Sequence, residues 1–158
     1  MAIRLATTAD IAALRALYAE QHEERVALYG SEVDIDGFRD AWQAGNLRVF
    51  VVAVGGNIRA ALFWYHHEGV GWEWVSSWWS NALSAVQVRE NGGEAIRHMA
   101  SLVPPETAIW GRAPKDSFWE RYFEAAAARL GGFEVREREV NGRLWVRYRT
   151  RAGNLAGL

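Results

Sequence analysis

Between Leu47 and Trp79 the chain reads LRVFVVAV, GGN, IRAALFWY, HHEGVG and WEWVSSWW, three apolar runs parted only by glycine-bearing turns. Short runs rich in β-branched and aromatic residues are strand signals, and tight turns between them make successive strands hairpin neighbours. Such a meander commits the chain to a sheet, and a sheet needs a covering layer. The flanking segments supply it. Ile3 to Leu5 is a short strand, after which Thr7 or Thr8 caps a helix with Ile11, Leu14, Leu17 and Tyr18 at helical spacing. A second helix begins at Asp36, places Phe38, Ala41 and Trp42 on one face, and ends at Gly45-Asn46. Beyond the meander, SNALSAVQVRE reads either as a strand continued past a bulge or as a loop. Gly93 to Val103 is a helix stopped by Pro104-Pro105, and TAIWGR is a further strand. Pro114 and Asp116 open a last helix carrying Trp119, Tyr122, Phe123, Ala126 and Leu130, ended by Gly131-Gly132. FEVREREV, Asn141-Gly142 and RLWVRYR close the chain as a hairpin around its strongest two-residue turn signal.

The 158 residues suit a single domain, expected to span residues 1–151, with 152–158 as a flexible C-terminal tail. The net charge of -1 argues against a protein that works by coating nucleic acid or an anionic membrane. With no cysteine there is neither disulfide, nor thiolate metal site, nor cysteine nucleophile. The opening MAIRLATTADIAAL has Asp10 within it and no long apolar run, so a signal peptide or a membrane span is not expected, and a cytoplasmic protein is.

The order strand, helix, helix, three-strand meander, helix, strand, helix, hairpin resembles the GNAT superfamily of acyl-CoA-dependent N-acetyltransferases along nearly the whole chain. IRLATTADIAAL and RLGGFEVREREVNGRLWVRY look like its first strand-helix pair and its closing helix and hairpin. The resemblance implies an α/β fold, a mixed central sheet of about seven strands flanked by about four helices. It also implies acetyl-CoA as co-substrate and transfer of an acetyl group to a primary amine. The superfamily's signature is Gln or Arg, two residues, Gly, one residue, then Gly or Ala, at a helix start. Here the nearest text is RENGGEA, in which Glu90 holds the place of Gln or Arg and Arg89 lies one residue early. Small residues there let backbone N–H groups approach a pyrophosphate. The cofactor is thus expected at Arg89, Asn91, Gly92, Gly93 and Ala95, and along the strand backbone at Val75, Ser76 and Ser77. The same text also reads as a plain capping box of Asn91 with Glu94.

Amide formation from a thioester needs an ammonium deprotonated and a thiolate reprotonated. Many members of the superfamily use a glutamate on the fourth strand as base, and Glu73 matches. A partly desolvated carboxylate beside indole rings suits a base working near neutrality; a glutamate facing water on an ordinary strand is the simpler reading of the same residue. The expected acid is a tyrosine late in the last helix, where this chain has Ala127 and Ala128. Tyr122, more than a turn earlier, is the remaining candidate, and its spacing also fits core packing. His66 and His67 should point to opposite faces, so they cannot share a metal, and no metal site is expected. His67 is a candidate base at the acceptor end; both histidines also fit as polar turn residues. The acceptor pocket is expected from residues 21–35 and the histidine turn.

With Asn141-Gly142 as a two-residue turn, Val140 pairs with Arg143, Arg138 with Trp145 and Arg136 with Arg147, leaving an arginine-rich, tryptophan-bearing outer face. That face suits contact with phosphate or RNA, as in a catalytically weakened interaction or nucleic-acid-associated protein of phage type; a solvated edge with local glutamate pairs is the favoured reading. The partner expected is a small-molecule or peptide amine, without membrane; the oligomeric state is open, and a homodimer is compatible. In WEWVSSWW, alternation puts Trp72, Trp74 and Trp78 toward a helix-packed core and Glu73 on the reverse.

Overall fold

A computed structural model describes residues 1–29 and 35–158. Seven strands lie in the order β1-β2-β3-β4-β5-β7-β6. They are β1 (Ala2–Leu5), β2 (Leu47–Val54), β3 (Asn57–His67), β4 (Gly71–Trp79), β5 (Ala108–Pro114), β6 (Glu134–Val140) and β7 (Arg143–Arg151). The helices are α1 (Ile11–Tyr29), α2 (Ile35–Gln43), α3 (Ala85–Ser101) and α4 (Phe118–Leu130). The expected architecture is the observed one. Of the expected acceptor stretch, residues 30–34 lie outside the described residues.

Two compact units divide the chain, the first comprising Met1–Tyr65 and Ser76–Asn91, the second His66–Val75 and Gly92–Leu158. In the first, β1 and β3 flank β2 in antiparallel ladders, and Leu14 and Leu17 of α1 pack with Val49, Val51, Phe63 and Trp78. Phe38 and Trp42 of α2 close that cluster. Thr7 and Asp10 organise the start of α1: the Asp10 carboxylate accepts the Thr7 N–H at 2.7 Å and a two-pronged contact from Arg4 at 2.7 and 2.8 Å. The Arg4 guanidinium holds the Asp10 carboxyl well below the usual carboxylate range.

In the second unit β4 runs parallel to β5 from Gly71 beside Ala108 to Trp74 beside Gly111. The strands touch closely where the ladder begins: a Cβ on Gly71, whose φ is 147°, would stand 2.2 Å from the Ala108 carbonyl oxygen. β5 pairs antiparallel with β7, and β7 with β6. The hairpin register is the expected one, Val140 beside Arg143 and Arg138 beside Trp145, because Asn141 (φ 52°) and Gly142 (φ 75°) take the left-handed conformations of the turn. α4 covers one face: Phe123 stacks on Tyr148 at 5.7 Å and meets Trp74 edge-on at 5.3 Å. Beneath it the buried Glu120 accepts from the Tyr148 hydroxyl at 2.7 Å and from the Asp116 N–H at 3.2 Å. Burial, and then this carboxylate, push the Tyr148 hydroxyl well above the ordinary tyrosine range.

Three expectations are corrected. α3 begins at Ala85, not Gly93, so most of the segment left as strand or loop is helical. Its N-terminus carries its own reciprocal cap, the Ser84 N–H to Gln87 Oε1 at 2.9 Å and the Gln87 N–H to Ser84 Oγ at 3.3 Å. β3 extends through His66 and His67, which are strand residues rather than turn residues. Residues 152–158, expected as a loose tail, carry the 3-10 turn Ala152–Gly157, with Ala152 and Leu155 buried and the Ala152 N–H bound to the Thr107 carbonyl at 2.9 Å.

Candidate functional site

The sequence places Glu73 between two indoles, and alternation sends it to the face away from α4. There it meets two other strands of the second unit. The extension of β3 brings His67 Nε2 to 2.8 Å from Glu73 Oε2, and Arg112 of β5 stands 3.1 Å from Glu73 Oε1. The Glu73 side chain is 12% exposed, His67 38% and Arg112 52%, so a sheltered carboxylate is held between a more open imidazole and a more open guanidinium. Trp110 lies beside the imidazole at 5.2 Å, with the Arg149 guanidinium 5.7 Å from its ring. His66 turns the other way and stacks on Trp72 at 4.6 Å. The two histidines therefore part as alternation requires, and only His67 joins Glu73.

Such a pair has the geometry an oriented base requires. With Nε2–H donating to Glu73, the imidazole lone pair is fixed at Nδ1, and a proton gained there is stabilised by the carboxylate behind it. Glu73 itself, engaged on both oxygens, acts better as the orienting group than as the first proton acceptor. Arg112 gave no motif in the sequence; it becomes visible only through the β4–β5 register, which sets Glu73 beside Trp110 and Arg112 one step on.

Tyr122 stands apart on α4, in an aromatic row with Trp119 at 5.5 Å and Phe123 at 5.8 Å. Its hydroxyl lies over α3, where a Cβ on Gly93 would come within 3.0 Å of it. Two of the expected residues thus meet, but as helix-helix packing. Gly92, Gly93 and Ala95 are buried in the interior of α3, where helical hydrogen bonding engages their N–H groups, and Asn91 caps nothing. Arg89 is exposed one turn further toward the start of α3. The helix start expected at this motif lies at Ser84.

The first unit shows what stands at that start. The Ser80 N–H bonds to the Arg59 carbonyl of β3 at 2.8 Å, so the backbone groups of Ser77 and Trp79 point away from β3. Their carbonyls are engaged by α1: Arg25 donates to Ser77 O at 2.8 Å and to Ser76 Oγ at 2.7 Å, and Gln21 Nε2 donates to Trp79 O. One turn back, Glu20 Oε1 accepts from the Asn81 N–H at 2.5 Å and from Ser80 Oγ at 3.1 Å. Val75, at the end of the second unit's share of β4, is 38% exposed. An acyl-CoA offers amides that need strand partners and a diphosphate that needs N–H groups beside a helix start. Ser77 to Ser84 carries both kinds of group, and the Glu20 carboxylate already stands as an anion at the turn; the residues fit that cofactor. Gln21 and Arg25 lie four apart, so helical spacing sets them on one face, but nothing in the sequence pairs that face with Ser77 and Trp79.

Among the described residues no cluster of three or more His, Asp or Glu side chains is placed to hold a metal ion, and no helix is long and apolar enough to cross a membrane.

No protein-family model matches the sequence, and no curated protein does. Solved structures do match. A ribosomal-protein-alanine N-acetyltransferase from Brucella melitensis has a TM-score of 0.65 at 19% identity, over 96% of this chain and 99% of that one. The acetyltransferase yncA from Salmonella typhimurium, solved with acetyl-CoA, has 0.65 at 18%, over 96% and 93%. RimL, an N-protein acetyltransferase of ribosomal L7/L12 solved with coenzyme A, has 0.69 at 12%, over 96% and 94%. These neighbours are acetyltransferases of the GNAT family, and the α/β fold with its seven-stranded sheet is the GNAT fold.

Proposed function

We propose that this chain is a cytoplasmic, acetyl-CoA-dependent N-acetyltransferase that acetylates a primary amine. The observation that carries the reading is the likeness of fold to GNAT acetyltransferases over 96% of the chain. The oriented base on β4, the strand on which the superfamily places its own, adds chemical support.

Bound acetyl-CoA would supply the acetyl group as an activated thioester. The residues that would hold it are Ser77 and Trp79 through their carbonyls, and Ser80, Asn81 and Ser84 at the turn into α3. They replace Gly92, Gly93 and Ala95 as the backbone cradle, since an interior helical segment has no free backbone N–H groups to offer, and leave Arg89 and Asn91 with only their side chains to present. Glu20, Gln21 and Arg25 must release the cradle as it fills. On the acceptor side, His67 Nδ1 takes a proton from the ammonium, leaving the nitrogen lone pair able to attack. Glu73 Oε2 stabilises the imidazolium, and Arg112 keeps the carboxylate in place. Tyr122, packed over Gly93, serves as a structural residue of α4 in this scheme; as the amine nitrogen bonds to the acetyl carbon the C–S bond would break, and the coenzyme A thiolate would take its proton from solvent.

The test is thiol release from acetyl-CoA in the presence of amines, with thermal stabilisation by acetyl-CoA measured alongside. Proton removal by a positioned base is worth about 100- to 10,000-fold. His67→Ala is therefore expected to lower kcat by at least about 100-fold, and Glu73→Gln by less, with the pH profile displaced. An absence of stabilisation at millimolar acetyl-CoA would sink the cofactor assignment. An active His67→Ala enzyme would remove the base.

A further inference from the structure

The face that carries Glu73 continues across β5, β7 and β6, and the registers line its side chains in rows. Arg112 of β5 lies beside Arg147 of β7, and Arg147 beside Arg136 of β6. Three guanidinium groups thus stand in one cross-strand row at strand spacing, about 5 Å between neighbouring strands. Like charges directly opposite one another destabilise a sheet. The row on one side holds Trp110, Arg149 and Glu134, and the row on the other holds Trp145 and Arg138. Among the described residues two carboxylates answer this charge: Glu73 on Arg112 at 3.1 Å, and Glu134, whose Oε1 bridges Arg136 and Arg147 at 2.8 Å each. Arg136 is 70% exposed and Arg112 52%, while Arg147 between them is 29% exposed, so the row is open to solvent at its two ends.

We infer that the acceptor is an acidic polypeptide segment, bound along this arginine face so that its amine reaches the pair of His67 and Glu73. Delivery of the amine rests on the acetyltransferase reading; the binding surface does not. Glu73 and Glu134 already seat carboxylates on these guanidinium groups, a geometry that further carboxylates can repeat along the row. Side chains on one face of a strand repeat at about 7 Å, and an extended peptide presents alternate residues at the same interval. Aspartate or glutamate at alternate positions would therefore meet Arg149 and, one step on, Arg147 with its cross-strand neighbours Arg112 and Arg136. Arg149 and Glu134 also border an open cavity of about 820 Å³ whose wall includes Arg151, room for part of such a segment. Single-stranded nucleic acid is disfavoured by the aromatic residues: Trp110 is 7% exposed and Trp145 half-buried, so neither offers an open ring to bases.

The experiment is fluorescence anisotropy at low salt with three labelled probes: a peptide of alternating alanine and aspartate, its alanine-serine counterpart, and single-stranded RNA of equal charge. The acidic peptide is expected to bind at least ten-fold more tightly than the neutral one. Arg136→Gln with Arg138→Gln, both on the exposed edge strand, should weaken it about ten-fold while leaving the melting temperature in place. Equal binding of acidic and neutral peptides, an unaffected double variant, or tighter binding of RNA than of the acidic peptide would each overturn the proposal. The same peptides with free N-termini separate the two readings. Binding without acetylation leaves the surface standing and removes the enzyme; equal binding and equal acetylation of both peptides do the reverse.

Discussion

Glu20 can be asked directly whether it sits in the seat of the cofactor's anion. Its carboxylate lies 2.5 Å from the Asn81 N–H and 3.1 Å from the Ser80 hydroxyl at the turn into α3. A diphosphate arriving at the same N–H would stand within a few ångströms of that charge. Two like charges about 4 Å apart repel by roughly 1 kcal/mol in water and roughly 4 kcal/mol at the surface-like effective dielectric of 20. Glu20 is exposed, so the low end applies, about 1 to 1.5 kcal/mol. Glu20→Gln keeps the size and an acceptor oxygen while removing the charge, and should tighten coenzyme A about five- to ten-fold. Glu20→Ala should tighten it comparably and lower the melting temperature by about 2 to 4 °C per kcal/mol of lost hydrogen bonding. Isothermal titration calorimetry with coenzyme A measures the first quantity, and scanning calorimetry the second. The gain should shrink as salt rises. Unchanged or weaker affinity in both variants would show that the turn is not where the anion binds.

Other perturbations address the frame. Tyr148→Phe leaves one oxygen of the buried Glu120 without its hydroxyl donor and should cost about 1.5 to 3 kcal/mol in denaturant unfolding, whereas loss below 0.5 kcal/mol would refute the pairing. Because the Tyr148 hydroxyl titrates above its ordinary value of 10.0, its contribution is complete below about pH 10 and is lost as pH rises beyond, which alkaline melts of wild type and variant should show by converging. Asp10 has the opposite sign: its carboxyl is depressed from 3.8, so its contribution is present above about pH 4 and is lost as pH falls, and Asp10→Asn should flatten the acid limb of stability against pH. Gly71→Ala drives a Cβ to 2.2 Å from a backbone carbonyl and should break the β4–β5 ladder, with a melting point lower by more than about 10 °C. Gly93→Ala should destabilise alone but add stability in a Tyr122→Phe background, where the hydroxyl 3.0 Å from the new Cβ is gone; equal effects in both backgrounds would refute the contact.

The hairpin shows how much a sequence can carry by itself: Asn141-Gly142 dictates a turn type, the turn dictates the register, and the register fixes which arginines share a face. The element order was equally legible. The start of α3 was not, because two adjacent glycines cost roughly 1 kcal/mol each within a helix and so look like a boundary. Close packing under Tyr122 is what keeps Gly93 inside the helix, and nothing local in RENGGEA announces it. His67 was obscured for a related reason. The glycines of HHEGVG mark a turn, yet they do not say that the strand before it runs two residues longer. Those two residues bring the imidazole to Glu73. Glu20 and Arg25 were hidden more deeply, since their partners are backbone groups about sixty and fifty residues away.

The outermost strand, β6, has one further consequence. Every residue from Glu134 to Val140 is exposed, and one edge of the strand has no ladder partner among the described residues. Two copies meeting there antiparallel about Glu137 would set Glu137 against Glu137 and Arg136 against Arg138. Each such like-charged pair costs free energy, so symmetrical self-pairing in that register is discouraged by the strand's own alternation. A strand of complementary charge order would meet no such penalty. The protein's open edge therefore discriminates among strangers while disfavouring a two-fold-related copy of itself.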